Sequence, residues 1–185
     1  MMENLKADIT RIRSHGNNHH LLRLLLFEQG LWALICYRAG NHLQRHRLPP
    51  GLHQLVMFFY QVWWKWVQMA TGINLKPDCT IGPGLYLGHW GQIFVHPDTV
   101  IGRDCNLSHE VTIGLGRRDG KWGVPRIGNR VYVAPGAKIF GPIEIADGTV
   151  VGANAVVNRG TDRDAVVAGV PARVISHEGS GDYIA

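Results

Sequence analysis

The sequence predicts a mainly β fold, a parallel β-solenoid that follows an α-helical N-terminal region. Aliphatic residues recur every six positions, a period that neither an α-helix nor an amphipathic strand produces. Small residues often follow them, and 23 glycines in 185 residues suit a chain that turns every few residues. Such repeats are typical of solenoids whose short strands each point one aliphatic side chain inward. The repeat positions are Ile81, Leu87, Ile93, Ile101, Leu107, Ile113, Ile127, Val133, Ile139, Ile145, Val151 and Val157.

The composition divides the chain into three regions. Residues 1–75 are expected to be helical, residues 76–176 to form the solenoid domain, and residues 177–185 to form a C-terminal tail. Pro49-Pro50-Gly51 separates two apolar helical segments in the first region.

The second of these segments, residues 52–70, carries polar side chains at helical intervals. This pattern indicates an amphipathic helix that packs on protein. Its tryptophans leave peripheral membrane contact through the N-terminal helices as the alternative. These aromatic residues are Trp63, Trp64 and Trp66.

Charge and cysteine usage narrow the functional classes. A net charge of +5 favours anionic ligands, but no nucleic-acid-binding motif is present, so no nucleic-acid partner is expected. Cys36, Cys79 and Cys105 show no metal-binding or redox spacing, and no signal peptide is visible. These features predict reduced thiols in a cytoplasmic protein, with the inner face of the membrane as the alternative location.

Counting in sixes also predicts how the coils stack, if three strands make one coil. Leu87 should lie beneath Leu107, and Ile93 beneath Ile113, with a slip of two residues after Ile93. Residues 115–125 should replace one strand and loop out from a corner. That replacement would put Ile127 over Leu107 and Val133 over Ile113.

The stacking brings two histidines together, which predicts a catalytic site. His89 and His109 each follow an inward aliphatic residue by two positions, so both imidazoles should point outward in successive coils. Adjacent imidazoles suit proton transfer at neutral pH. Glu110 is a candidate to orient His109. His96 sits elsewhere in the repeat, so no metal site is expected.

The stretch from Ile81 to Ser176 resembles the left-handed β-helix acyltransferases, specifically their serine acetyltransferase-like branch. The resemblance rests on Leu87-Gly88-His89, Val111-Thr112-Ile113-Gly114, Pro125-Arg126-Ile127-Gly128, Ala137-Lys138-Ile139-Phe140-Gly141-Pro142-Ile143 and Ala168-Gly169-Val170-Pro171-Ala172-Arg173. The resemblance implies a left-handed coil, acetyl-CoA as the co-substrate, and homotrimers or their multiples with active sites between subunits.

Site residues follow from the resemblance. His89 matches the catalytic base of the family, with His109 as the second candidate. The remaining matches, together with the basic stretch at residues 117–118, are the expected acetyl-CoA-binding residues. These are Gly114, Arg117, Arg118, Ala134, Ala153 and Arg173.

The departures from the family determine the expected acceptor. Serine acetyltransferases carry an aspartate before the catalytic histidine, where this chain has Gly88, and an Arg-His pair where it has Gly123 and Val124. Without this aspartate and this Arg-His pair, the charged groups of a zwitterionic acceptor would lose their ion-pair partners. We therefore expect an O-acetyltransferase of polysaccharide biosynthesis that acetylates a saccharide hydroxyl directly, with serine as the alternative. A zinc enzyme of the γ-carbonic-anhydrase type or a non-catalytic β-helix are lesser alternatives.

Overall fold

Four helices precede a series of short strands in the computed structural model, which describes residues 2–15, 20–46 and 48–184. The helices are α1 (Met2–His15), α2 (Leu21–Phe27), α3 (Gln29–Arg45) and α4 (Leu52–Thr71). The strands are β1 (Ile73–Leu75), β2 (Thr80–Ile81), β3 (Tyr86–Leu87), β4 (Ile93–Val95), β5 (Val100–Ile101), β6 (Asn106–Leu107), β7 (Thr112–Gly114), β8 (Gly116–Arg118), β9 (Lys121–Gly123), β10 (Arg126–Ile127), β11 (Tyr132–Val133), β12 (Lys138–Phe140), β13 (Glu144–Ile145), β14 (Val150–Val151), β15 (Val156–Val157), β16 (Val166–Gly169) and β17 (Ala172–Ser176).

The strands form a β-solenoid of about 5 turns with three faces, which confirms the predicted fold class. One face has the strand order β1-β4-β7-β12-β15, the second β13-β10-β5-β2, and the third β17-β16-β14-β11-β6-β3. All neighbours on these faces are parallel except the final pair, β16 and β17. From β1 to β15, leaving out β8 and β9, successive strands belong to different faces, so each of these coils contributes one strand to each face.

The six-residue period arises because each coil turns at three corners and buries one aliphatic residue per strand. Leu87, Leu107, Val133 and Val151 stack in line on the third face and are at most 1% exposed. Each such side chain removes its apolar surface from water, a gain of roughly 1.5–3 kcal/mol. The stack therefore supplies the solenoid with its core.

The pairing confirms one predicted register and corrects another. Leu87 pairs with Leu107 as predicted. The prediction for Ile93 is wrong, because Val95 and not Ile93 pairs with Ile113. Both Ile93 and Val95 point inward from β4. The sequence alone therefore could not decide which of the two occupies the aliphatic position of the six-residue repeat. The two extra residues consequently lie before β4, in residues 88–92, and not after it.

The insertion at residues 115–125 does not replace a strand, so that prediction is also wrong. It forms an antiparallel hairpin, β8 and β9, which loops out beyond the coil as expected. Ile127 pairs with Ile101, and Val133 pairs with Leu107. The hairpin closes on itself through its own backbone hydrogen bonds, so the solenoid resumes at the corner where it was interrupted.

A buried ion pair ties the N-terminal helices to the first coil. The Arg38 guanidinium donates to both Asp8 carboxylate oxygens, at 2.9 and 3.0 Å. It also donates to the carbonyl oxygens of Ile81 and Gly82, while Asp8 accepts the backbone N–H groups of Gly84 and Leu85. Asp8 is 0% exposed and Arg38 is 4% exposed. One ion pair thus joins α1, α3 and the chain between β2 and β3.

Helix α4 packs one side against α3 and leaves the other side apolar and exposed. Tyr60 and Val67 are buried on the inner side, where Gly40 of α3 admits the Tyr60 ring. Large exposed side chains follow one another along the outer side: Leu52, Leu55, Phe58, Phe59, Val62, Trp63, Trp66 and Met69. We call this set the apolar face of α4. Among the described residues, no helix is long and apolar enough to cross a membrane.

We predict that Asp8→Ala destabilises the protein by about 3–5 kcal/mol, because it leaves the Arg38 guanidinium buried without its carboxylate. The free energy of unfolding, measured by chemical denaturation, checks this. Arg163→Ala is the matched control. It breaks an ion pair whose arginine is 79% exposed, and should cost less than about 1 kcal/mol. If Asp8→Ala lowers the free energy of unfolding as little as the control does, the ion pair does not hold the N-terminal helices to the first coil.

Candidate active site

Two histidines lie side by side at one corner of the solenoid. His89 follows β3 and His109 follows β6, and these strands pair in parallel with Leu87 opposite Leu107. Their ring centroids are 5.6 Å apart with the planes at 77°. The His109 carbonyl oxygen accepts the Gly136 N–H from the next coil, at 3.1 Å. The structure therefore brings together the two imidazoles that the sequence count had predicted to be neighbours.

The segment that carries His89 is the one with two extra residues. It spans residues 88–92 and is fastened to the end of α4, because the Gly91 N–H donates to the Thr71 carbonyl oxygen at 2.9 Å. Gly91 has a φ of 112°, which a residue with a side chain rarely adopts. His89 itself is exposed. The longer corner thus holds the His89 imidazole at the surface, beside His109.

A carboxylate that the sequence reasoning missed, Glu28, lies close enough to His89 for the two charges to interact. Glu28 sits between α2 and α3 and is half-buried. Burial raises the pKa of Glu28, and the attraction of the nearby His89 acts in the opposite direction. The sequence offered no signal for this proximity, because 61 positions separate the two residues and they belong to different regions of the chain.

Close packing between α3 and β3 explains why Glu28 comes so near. A Cβ atom on Gly30 would lie 2.4 Å from the Leu87 carbonyl oxygen, so only glycine allows the helix to approach the strand at this point. Gly30 follows Glu28 by two residues, and Leu87 precedes His89 by two residues. The start of α3 therefore forms one wall of the site.

Gly88, which precedes His89, has no room for a side chain. A Cβ atom there would lie 2.9 Å from Cε1 of Tyr86. The Tyr86 ring stacks on His15, with centroids 4.4 Å apart and the planes at 22°. Burial raises the pKa of the Tyr86 hydroxyl, and the nearby Glu28 carboxylate raises it further. The tyrosine ring thus fills the space that an acidic side chain at position 88 would need.

Glu110 is the predicted partner of His109, and its role stays a prediction. It occupies a corner with a φ of 60° and its side chain is exposed. Its carbonyl oxygen accepts a hydrogen bond from Lys138 Nζ. Within the described ranges, the carboxylate makes no hydrogen bond to His109.

The predicted acetyl-CoA-binding residues lie on different parts of the solenoid. Ala134 follows β11 and Ala153 follows β14, both on the face of the histidines. Ala153 occupies the same place in its coil as His109 does two coils earlier. Gly114 belongs to another face, where it pairs with Phe140. Arg173 is exposed on β17, next to the last full coil. One chain does not gather them into a single cluster.

The hairpin arginines form a basic cleft together with a third arginine that the sequence reasoning missed. The cleft has a volume of about 290 Å³ and is lined by Arg117, Arg118 and Arg159. Arg118 donates to the Asn158 carbonyl oxygen at 2.9 Å and pairs with Asp119. Three guanidinium groups around one acid leave this cleft positively charged, which suits a phosphate-bearing ligand.

The cysteines and His96 lie apart from this site. Burial raises the pKa of Cys36 to about 11 and that of Cys79 and Cys105 to about 12. Such thiols are poor nucleophiles at neutral pH. His96 Nδ1 lies 3.7 Å from an Asp98 carboxylate oxygen. In the part of the chain that the structure describes, no three histidine, cysteine or acidic side chains are grouped as metal ligands.

Comparisons with known proteins identify the relatives of this chain. No protein-family model matches it. A serine acetyltransferase of Helicobacter pylori strain J99 is 35% identical over 84% of this chain and 86% of its own length. One from Synechococcus elongatus is 31% identical over 85% of this chain, and the chain spans 62% of that relative. A solved serine acetyltransferase in complex with CoA superimposes with a TM-score of 0.78 at 27% identity, covering 94% of this chain and 69% of its own.

Proposed function

Because the chain belongs to the serine acetyltransferase family, we propose that it transfers an acetyl group from acetyl-CoA to the hydroxyl of L-serine. The observation that carries this proposal is the pair of outward imidazoles, 5.6 Å apart, at one corner of the coil. The solved relative bound to CoA supports acetyl-CoA as the co-substrate. We further propose that residues 76–176 form the catalytic domain, to which residues 1–75 add one wall of the site.

The saccharide acceptor expected from the sequence is wrong. The relatives from Helicobacter pylori and Synechococcus elongatus, which match over most of this chain, are serine acetyltransferases, and they favour serine over a saccharide. The expectation rested on missing charged residues at positions 88, 123 and 124. Other parts of a folded chain can supply such charges, so their absence at particular positions did not exclude an amino-acid acceptor.

The proposed reaction is a direct transfer with His89 as the general base. His89 takes the proton of the serine hydroxyl as the oxygen attacks the thioester carbonyl. The new C–O bond forms, the C–S bond breaks, and the proton passes from His89 to the departing thiolate. Its neighbour His109 orients the acceptor or serves as the second base. The high pKa of each cysteine argues against an acyl-cysteine intermediate.

Acetyl-CoA binding is proposed along the histidine face and at the basic cleft. The phosphates of the co-substrate would pair with Arg117 and Arg118, and with Arg159 beside them. Ala134 and Ala153 have small side chains that would let an extended pantetheine arm lie against the coil. Gly114, on another face, and Arg173, on the last strand of the histidine face, are proposed to contact the same ligand, which requires a site that more than one subunit builds.

We propose that the protein assembles as a homotrimer or a multiple of it. The histidines face outward, and the start of α3 walls them on one side. Trp90, next to His89, and Trp122, on the hairpin, are each 66% exposed. Large aromatic side chains are enriched at the centres of protein interfaces. A neighbouring subunit packed on these tryptophans would close the groove.

Peripheral membrane contact is proposed for the apolar face of α4. Its exposed aromatic and aliphatic side chains are those that enter the headgroup region of a bilayer. Between residues 21 and 71 the only acidic residue is Glu28, which is half-buried beside His89. Basic side chains such as Arg23 and Lys65 therefore dominate the charge of this region, which suits an anionic lipid surface.

We predict that His89→Ala lowers kcat with acetyl-CoA and L-serine by at least about 100-fold, because the acceptor hydroxyl loses its general base. Thiol release, followed with a chromogenic disulfide, measures the rate. His96→Ala is the control and should keep full activity. Full activity in His89→Ala with an inactive His109→Ala would reverse the assignment. A wild-type enzyme without serine-dependent thiol release would refute the proposed function itself.

Native mass spectrometry should give a mass of about three chains of 20.6 kDa, or a multiple of three. Trp90→Asp should shift the assembly toward single chains, because it puts a charge into the proposed interface. Gln54→Asp, on the exposed side of α4, is the control and should leave the mass unchanged. A wild-type protein that stays monomeric or dimeric at micromolar concentration would contradict the proposed assembly.

Flotation with vesicles tests the membrane contact. The wild-type protein should float with vesicles that contain phosphatidylglycerol, and Phe59→Gln with Met69→Gln should abolish this, because these residues are 62% and 75% exposed on the apolar face of α4. Circular dichroism confirms that the variant is folded. If the wild-type protein remains with the soluble fraction at low salt, the proposed contact is wrong.

A further inference from the structure

An amino-acid acceptor brings a positive charge into the groove, and the groove must offer an anion to hold it. At neutral pH serine carries an ammonium group on the carbon next to the one that bears its hydroxyl. A hydroxyl placed at His89 therefore puts the ammonium close to His89 as well. Where a neighbouring subunit shields the site from water, as proposed, an ammonium without a partner is costly. The carboxylates near the two imidazoles are Glu28 and Glu110 in the described part of the chain.

We infer that Glu28 binds the ammonium group of the amino-acid acceptor. The inference rests on the proposed function and assigns a specificity residue to it. Glu110 fits this task less well, because its side chain is exposed at a corner. Position 88 does not supply the charge either, since it is a glycine whose place for a side chain borders the Tyr86 ring. Glu28 is half-buried on the wall that α3 adds to the site.

The backbone around Glu28 is held rigidly, as a binding residue requires. The Glu28 N–H donates to the Leu24 carbonyl oxygen at 2.9 Å. The Glu28 carbonyl oxygen accepts the N–H groups of Leu31 and Trp32, at 3.0 and 3.3 Å. The Trp32 indole donates to the Leu25 carbonyl oxygen at 2.7 Å and closes the corner between α2 and α3. The approach of Gly30 to Leu87 then fixes this corner against β3.

In the described part of the chain, the carboxylate of Glu28 has no structural partner. It is the residue before the first turn of α3, yet its side chain makes no capping hydrogen bond. Across residues 2–15, 20–46 and 48–184, no hydrogen bond or ion pair of its side chain is found. A half-buried anion to which the described residues donate no hydrogen bond, and which lies near His89, is suited to an incoming cation.

Glu28→Gln tests the inference, because it removes the charge and keeps the shape. We expect the KM for L-serine to rise at least about tenfold, with the KM for acetyl-CoA within about twofold of wild type. The kcat/KM for 3-hydroxypropanoate, which has the hydroxyl but no ammonium, should not fall. Glu28→Asp should recover part of the serine affinity. Glu144→Gln, at an exposed carboxylate on β13, is the matched control and should change none of these values.

The outcomes separate this inference from the proposed function. An unchanged KM for L-serine in Glu28→Gln, with an active wild-type enzyme, overturns the inference alone. Equal losses of kcat with both acceptors also overturn it, because Glu28 would then act on His89 and not on the ammonium. A drop in the thermal unfolding midpoint with no selective change in the serine KM would overturn it in favour of a structural role. If the wild-type enzyme does not turn over 3-hydroxypropanoate, the KM of Glu28→Gln for L-serine alone decides whether the inference stands.

Discussion

The parallel register between successive coils is the constraint on which the whole site depends. Leu87 lies opposite Leu107, and Leu107 opposite Val133, so every side chain at a given place in one coil lies over its equivalent in the next. A shift of one residue would move the aliphatic side chains from the core to the solvent. The register is strongly specified because such a shift would cost this burial. The same register sets His89 beside His109. Core packing and the candidate catalytic pair are thus two consequences of one pattern of hydrogen bonds.

The N-terminal helices complete the site from outside the repeat. The Asp8–Arg38 ion pair holds α1 and α3 against the first coil and satisfies the backbone groups of Ile81, Gly82, Gly84 and Leu85. Isolated buried ion pairs contribute little net stability, so their value lies in determining one arrangement. Here the arrangement seats α3 on β3 at Gly30. It is this contact that brings a carboxylate next to an imidazole 61 residues away.

The acceptor shows how reasoning from absent residues can mislead. Gly88, Gly123 and Val124 lack the charges that the resemblance associates with serine, and this suggested a neutral acceptor. In the structure the Tyr86 ring, stacked on His15, lies 2.9 Å from the place of a Cβ atom at position 88. A charge removed from one position can be restored from another element, and the half-buried Glu28 is such a charge. Binding depends on where charges meet in space, and sequence positions report this only indirectly.

By itself, the sequence determined the solenoid, its helical N-terminal region and the neighbouring histidines, because a local six-residue period maps directly onto stacked coils. It did not determine the register at β4, since Ile93 and Val95 are both aliphatic and only pairing with β7 distinguishes them. It did not show that residues 115–125 are an added hairpin, because their length fits a replaced strand as well. Only the tertiary structure decided the place of Glu28, Arg159 and the Asp8–Arg38 pair. Their contacts join residues far apart in the chain, and no periodicity in the sequence encodes such a contact.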